Sequence, residues 1–176
     1  MALRRLMEWI RVRFGRSRVT SKDSTHSEGI SPAVQPNELV AYFIRVPKHI
    51  DRKTGGIRPQ ALMPRRVEAT HRLETSVYRT SGLSEGEVWE ICRVWYELIG
   101  GVTAIGRGEG RARSVTEANL DFDADGKPHP RHANIIRWED DPSKSKEQLK
   151  HFWMQAAQKF APGFQYIEKP RPQGPQ

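Results

Sequence analysis

The sequence predicts an α+β fold: a mainly antiparallel sheet of about five to six strands with two amphipathic helices packed on one face. Three observations carry that prediction. Short β-rich apolar stretches recur along residues 38–168, and hairpin-sized gaps join the middle ones. Two stretches instead repeat their apolar residues at helical spacing and end in glycine or proline. No internal repeat organises the chain, so one ordinary α+β domain accounts for the length of 176 residues.

The elements follow in order. Residues 1–18 place Leu3, Leu6, Met7, Ile10 and Phe14 at helical spacing among six arginines, which reads as a basic amphipathic helix. Residues 19–37 are polar, with four serines and no apolar period, and read as a linker. Leu39 to Val46, stopped by Pro47, reads as a strand covered on both faces. Residues 47–72 are basic, hold Gly55-Gly56, and show no sustained period. Arg72 to Thr80 alternates loosely as a short strand.

Ser84-Glu85-Gly86-Glu87 is a capping-box pattern. Behind it Val88, Ile91, Cys92, Trp95, Leu98 and Ile99 form a helical stripe that Gly100-Gly101 closes. The single cysteine, Cys92, sits on that stripe as a small core hydrophobe. Val102 to Ile105 and Ser114 to Asp123 read as two strands joined by the glycine-rich turn 106–113, and Ala133 to Trp138 as a further strand. Asp141-Pro142 offers a helix start. Leu149, Phe152, Trp153, Ala156, Ala157 and Phe160 then form the second stripe, stopped by Pro162-Gly163. Phe164 to Ile167 adds a last short strand, and 169–176 is a proline-rich tail.

Composition narrows the function classes. One cysteine forms no internal disulfide, which points to a reducing, cytoplasmic setting. The longest apolar run, Leu39 to Ile44, is six residues, too short to cross a bilayer. The net charge of +8 is uneven. Residues 1–18 carry six bases and one acid and residues 45–79 nine bases and three acids, whereas residues 80–176 are close to neutral. A basic amphipathic helix at 1–18 suits peripheral contact with a membrane or docking on a partner. The 45–79 region, with Tyr42, Phe43 and Tyr78 near its ends, has the mixture of charge and aromatic rings that tracks a phosphate backbone.

Several motifs are measured against their chemistry. Asp121-Phe-Asp-Ala-Asp-Gly126 opens like a calcium loop, but position twelve is His132, which cannot supply the bidentate carboxylate. Lys127-Pro-His-Pro-Arg-His132 sets His129 and His132 in a proline-stiffened loop beside those acids, a candidate metal site or general base. Gly106-Arg-Gly-Glu-Gly-Arg-Ala-Arg113 is rich in glycine and arginine but matches neither phosphate-binding glycine pattern. G-x-S-x-G, H-E-x-x-H and C-x-x-C are absent from the sequence.

The leading expectation is a soluble, non-enzymatic domain without a cofactor. It binds nucleic acid or an acidic protein through Arg58, Arg65, Arg66, Arg72, Arg79, Arg107, Arg111 and Arg113. One alternative is a metal-dependent phosphoester hydrolase with Asp121, Asp123, His129 and His132 around the ion. Another is an accessory subunit docked by residues 1–18. Oligomeric state is not written in the sequence.

Overall fold

Leu39–Ile44 (β1) is apolar at all six positions, and the structure, a computed structural model, uses both of its sides. It describes residues 30–171 apart from Ala69, Ile99 and Gly100. The expected helix at 1–18, most of the linker and the end of the tail lie outside the described residues.

After β1 come Ile50–Asp51 (β2), Gly56–Ile57 (β3), Arg65–Arg66 (β4) and Leu73–Arg79 (β5). Helix α1 (Glu85–Ile91) continues as a wider π-helical segment over Cys92–Leu98. Then follow Gly106–Arg111 (β6), Ala112–Glu117 (α2), Asp121–Asp123 (β7), His132–Ile136 (β8), Lys146–Phe160 (α3) and Phe164–Glu168 (β9). The sheet has nine strands in the order β2-β3-β9-β6-β1-β5-β8-β7, with β4 paired to β5. Every pairing is antiparallel. The class is as expected. The extra strands are two-residue ladders too short to leave a periodic trace in sequence.

Side chains alternate across a strand, and this divides the core in two. Val40 and Ile44 belong to the larger cluster, with Val77, Val115, Ile135, Ala157, Phe160 and Phe164. Phe43 belongs to a second cluster with Tyr78, Val88, Ile91, Cys92 and Ala104. Helix α3 therefore covers one face and α1 the other, where the sequence reading put both helices on one face. A strand apolar at every position needs cover on both sides. Phe43 and Phe160 are 2% and 0% exposed, and each such ring contributes about 1.5–3 kcal/mol by its burial.

Four local expectations are corrected. Residues 106–111 are not a turn but β6, between β1 and β9. Its glycines recur with the two-residue period of a strand, so Gly106, Gly108 and Gly110 share one face while Arg107, Glu109 and Arg111 share the other. A Cβ on Gly108 would stand 2.5 Å from Ile57 Cδ1, and one on Gly110 would stand 2.5 Å from the Gly163 carbonyl oxygen. Neighbouring side chains and backbone fill the space that β6 leaves bare. Second, 114–120 is not strand: α2 takes Ala112–Glu117, and only Asp121–Asp123 pairs. Third, Val102 to Ile105 joins no ladder. Fourth, α3 is capped by Ser145, which accepts from the Gln148 amide while Gln148 reaches back; Asp141 instead accepts from Ser143 in the preceding turn. The Ser84–Glu87 capping box forms as expected.

Residues 31–37, read as linker, belong to the compact unit that begins at Ser31. Arg79 ties them down. Its Nε and Nη2 donate to the two Glu38 carboxylate oxygens at 2.6 Å, and Nη1 donates to the Ser31 carbonyl at 2.6 Å. The amides of Ala112 and Arg113 donate to the carbonyls of Glu38 and Pro36.

Candidate functional site

The strand ladder itself opens a cleft. β1 pairs with β5 at Val40–Arg79 and Ala41–Tyr78, whereas β4 pairs with β5 at Arg65–Glu74 and Arg66–Leu73. Between these ladders β1 and β4 diverge, and a cavity of about 290 Å³ lies in the gap. Tyr42 and Phe43 wall one side, Met63, Arg65 and Val67 the other, and Thr75, Ser76 and Tyr78 form the floor. Tyr96 reaches in from the π-helical segment, and Pro128 and His132 from the 124–132 loop and β8. The Phe43 ring centroid lies 5.3 Å from Tyr78 and 5.5 Å from Tyr96. π-helical turns are rare and recur at functional sites.

A polar chain links two residues of the cleft lining, Ser76 and His132, through Asn134 and Asp125. His132 Nδ1 lies 2.6 Å from Asp125 Oδ1. Asn134 Nδ2 donates to the other Asp125 oxygen at 3.4 Å, and Ser76 Oγ donates to Asn134 Oδ1 at 3.2 Å. Tyr78 meets the His132 ring edge-on at 5.4 Å. An ionised carboxylate only accepts, so Nδ1 carries the proton and the neutral ring keeps a lone pair on Nε2. Among the described residues no group bonds Nε2. Burial pushes the phenols of Tyr78 and Tyr96 up to about 12. At neutral pH both are uncharged.

The rim is cationic. Arg45 and Arg65 both act electrostatically on Tyr42, Tyr96 and His49, and Lys48 joins them at His49. Burial, followed by these cations, depresses the His49 imidazole. Arg45, Lys48 and Arg65 are exposed, and none has a carboxylate partner among the described residues. The one acid in the cleft lining, Glu74, is buried and accepts from Thr70 Oγ1 at 3.1 Å. Arg65 in the lining and Arg45 beside it outnumber that acid.

The eight arginines singled out by the sequence do not gather. Arg79 is 3% exposed and paired with Glu38. Arg107 is 1% exposed under α1; its guanidinium meets Glu85 at 2.5 and 2.9 Å, lies 3.4 Å from Glu109, and stacks 4.9 Å from the Trp89 ring centroid. Both are structural ties, not available surface. Arg66 pairs with Asp140, and Arg72 sits 3.6 Å from Asp123. Arg58, Arg65, Arg111 and Arg113 remain exposed. Arg111 stands opposite Leu39, at the other end of β1 from Arg45, roughly 20 Å away at strand rise. Arg111 also donates to the Asn37 carbonyl.

The metal arrangement does not assemble either. Asp121 pairs with Arg137, and His129 packs against Trp95 and Tyr78. Among the described residues, no three His, Cys, Asp or Glu side chains converge as metal ligands. The partner His132 does find is Asp125, the third acid of the same motif, which sequence reasoning passed over. Arg45 and Lys48 lie in the basic 45–79 region that the sequence singles out, whereas Tyr96, Ser76 and Asn134 were missed, because only tertiary structure brings them near His132 and the cleft. No protein-family model, curated protein or solved structure matches the chain. Among the described residues no helix is long and apolar enough to cross a membrane.

Proposed function

We propose that the chain binds single-stranded nucleic acid at this cleft. Phosphates lie over Arg45, Lys48 and Arg65, and bases rest against Tyr42 and Tyr96. One observation carries the reading: exposed Arg65 lines an aromatic-walled cleft and exposed Arg45 acts on two of its tyrosines, neither with a carboxylate partner among the described residues, while the buried arginines are spent on internal ion pairs. Rings offer stacking to any base, and a cationic rim follows a backbone without reading sequence.

The test is fluorescence anisotropy with a labelled 20-nucleotide single strand across salt. Three phosphate contacts give a log–log slope near −2, a fall of roughly 20-fold in affinity between 50 and 200 mM. The combined R45A/K48A/R65A variant is expected to flatten that slope, and R111A/R113A to leave it unchanged. Absence of binding at 50 mM salt, or a salt-independent affinity, refutes the reading.

A further inference from the structure

We propose that the cleft also cleaves the strand it binds when that strand is RNA, with His132 as the general base. The inference rests on the nucleic-acid reading above and assigns a reaction to the same site. Three features point to it. Asp125 fixes the His132 ring with the proton on Nδ1, the arrangement that orients a catalytic imidazole and steadies its protonated form. Nε2 is the free nitrogen, on a residue that lines the cleft. Arg65 lines the same cleft and supplies positive charge that draws the strand's phosphates into it. A ribose 2′-hydroxyl lies next to its own phosphodiester, so cleavage there needs a base and charge stabilisation and no external nucleophile.

His132 Nε2 takes the proton of the 2′-hydroxyl, and the 2′-oxygen bonds to the adjacent phosphorus. The bond from phosphorus to the 5′-oxygen breaks, its electron pair leaving with that oxygen, which takes a proton from water. The resulting hydroxide removes the proton from the imidazolium. The products are a 2′,3′-cyclic phosphate and a 5′-hydroxyl, and the enzyme is restored. Arg65 faces the non-bridging oxygens, where negative charge builds. Asp125 acts through His132 and is a positioning residue.

The experiment uses the full chain, EDTA, and two labelled 20-mers of one mixed sequence, RNA and DNA, each scored for binding and for cleavage. The expected result is that both bind and only RNA is cut, to cyclic-phosphate ends. H132Q is expected to bind RNA as the parent does and to cut it 10²–10⁴-fold more slowly. Because His132 is buried, a melting curve of H132Q accompanies the assay, and D125N supplies a second reading. With the carboxylate replaced by an amide, the imidazole loses the group that fixes its ring and tautomer. D125N is therefore expected to bind RNA as the parent does and to cut it more slowly, and that loss is expected to vanish in an H132Q background. RNA bound but uncut overturns this proposal and leaves the binding reading standing. Cleavage unchanged in H132Q, or DNA cut at the rate of RNA, overturns it as well. If neither strand binds, both readings fall together.

Discussion

Replacing Arg79 by methionine tests the account of how the chain before β1 is held. The change keeps the aliphatic stem and removes the guanidinium that bonds both Glu38 oxygens and the Ser31 carbonyl at 2.6 Å and the Ala33 carbonyl at 3.3 Å. Arg79 is 3% exposed, so little water replaces what is lost. Breaking a buried pair from one side costs about 3–5 kcal/mol, mostly because the surviving charge stays desolvated. With about 2.1 cal/mol/K of unfolding entropy per residue over roughly 140 residues, that is a drop of about 10–17 °C in Tm. The effect carries a pH signature. Burial pushes the Glu38 carboxyl up, but Arg79, together with the Gln35 amide and Arg131, holds the group below its ordinary value. A depressed carboxylate contributes stability that is complete above its unfolded value of 4.5 and is lost as pH falls through the lower folded value. Scanning calorimetry of parent and R79M from pH 7 down to pH 2 checks both points. The two curves are expected to converge at low pH. A variant melting within about 2 °C of the parent at pH 7, or a gap that does not narrow in acid, refutes the reasoning.

Two further outcomes follow from the packing. Gly110→Ala sets a methyl 2.5 Å from the Gly163 carbonyl oxygen and 2.9 Å from the Phe164 ring; it is expected to cost about 1–3 kcal/mol in a urea melt, and a neutral result would mean that β9 shifts freely. Burial, with Glu97 nearby, pushes the Cys92 thiol up to about 12, so a disulfide reagent at pH 8 is expected to label it only in urea. Labelling of the folded chain at the rate of a free thiol would contradict the core placement.

Much of the architecture was legible because its signals are local. The Ser84 capping box, the stripe ending at Phe160 and the doubly apolar β1 each declare themselves within a dozen residues. Misreadings arose where two periods compete or a partner is remote. Gly106-Arg-Gly-Glu-Gly-Arg reads as a flexible loop by composition and as a strand by its alternation, and only Ile57, Phe164 and Tyr166 above the glycines decide between them. The arginines misled for a related reason: a guanidinium looks the same in sequence whether it faces water or, like Arg107, lies beneath a helix. His132 was visible as a candidate base, but its orienting acid was not, since any of three aspartates in a row has comparable reach from the sequence alone. The cleft has no signature at all, because it arises where two ladders on β5 part.

The bare face of β6 has a consequence for how the molecule breathes. Six residues that contribute almost no oil to the interior are held on both flanks by backbone ladders, to β1 along their whole length and to β9 along most of it. Local opening there needs both neighbours to peel away, so the amide protons of this glycine-rich stretch should be among the slowest to trade with deuterated solvent. The segment whose composition most suggests slack is, in this fold, the seam that holds the two halves of the sheet in register.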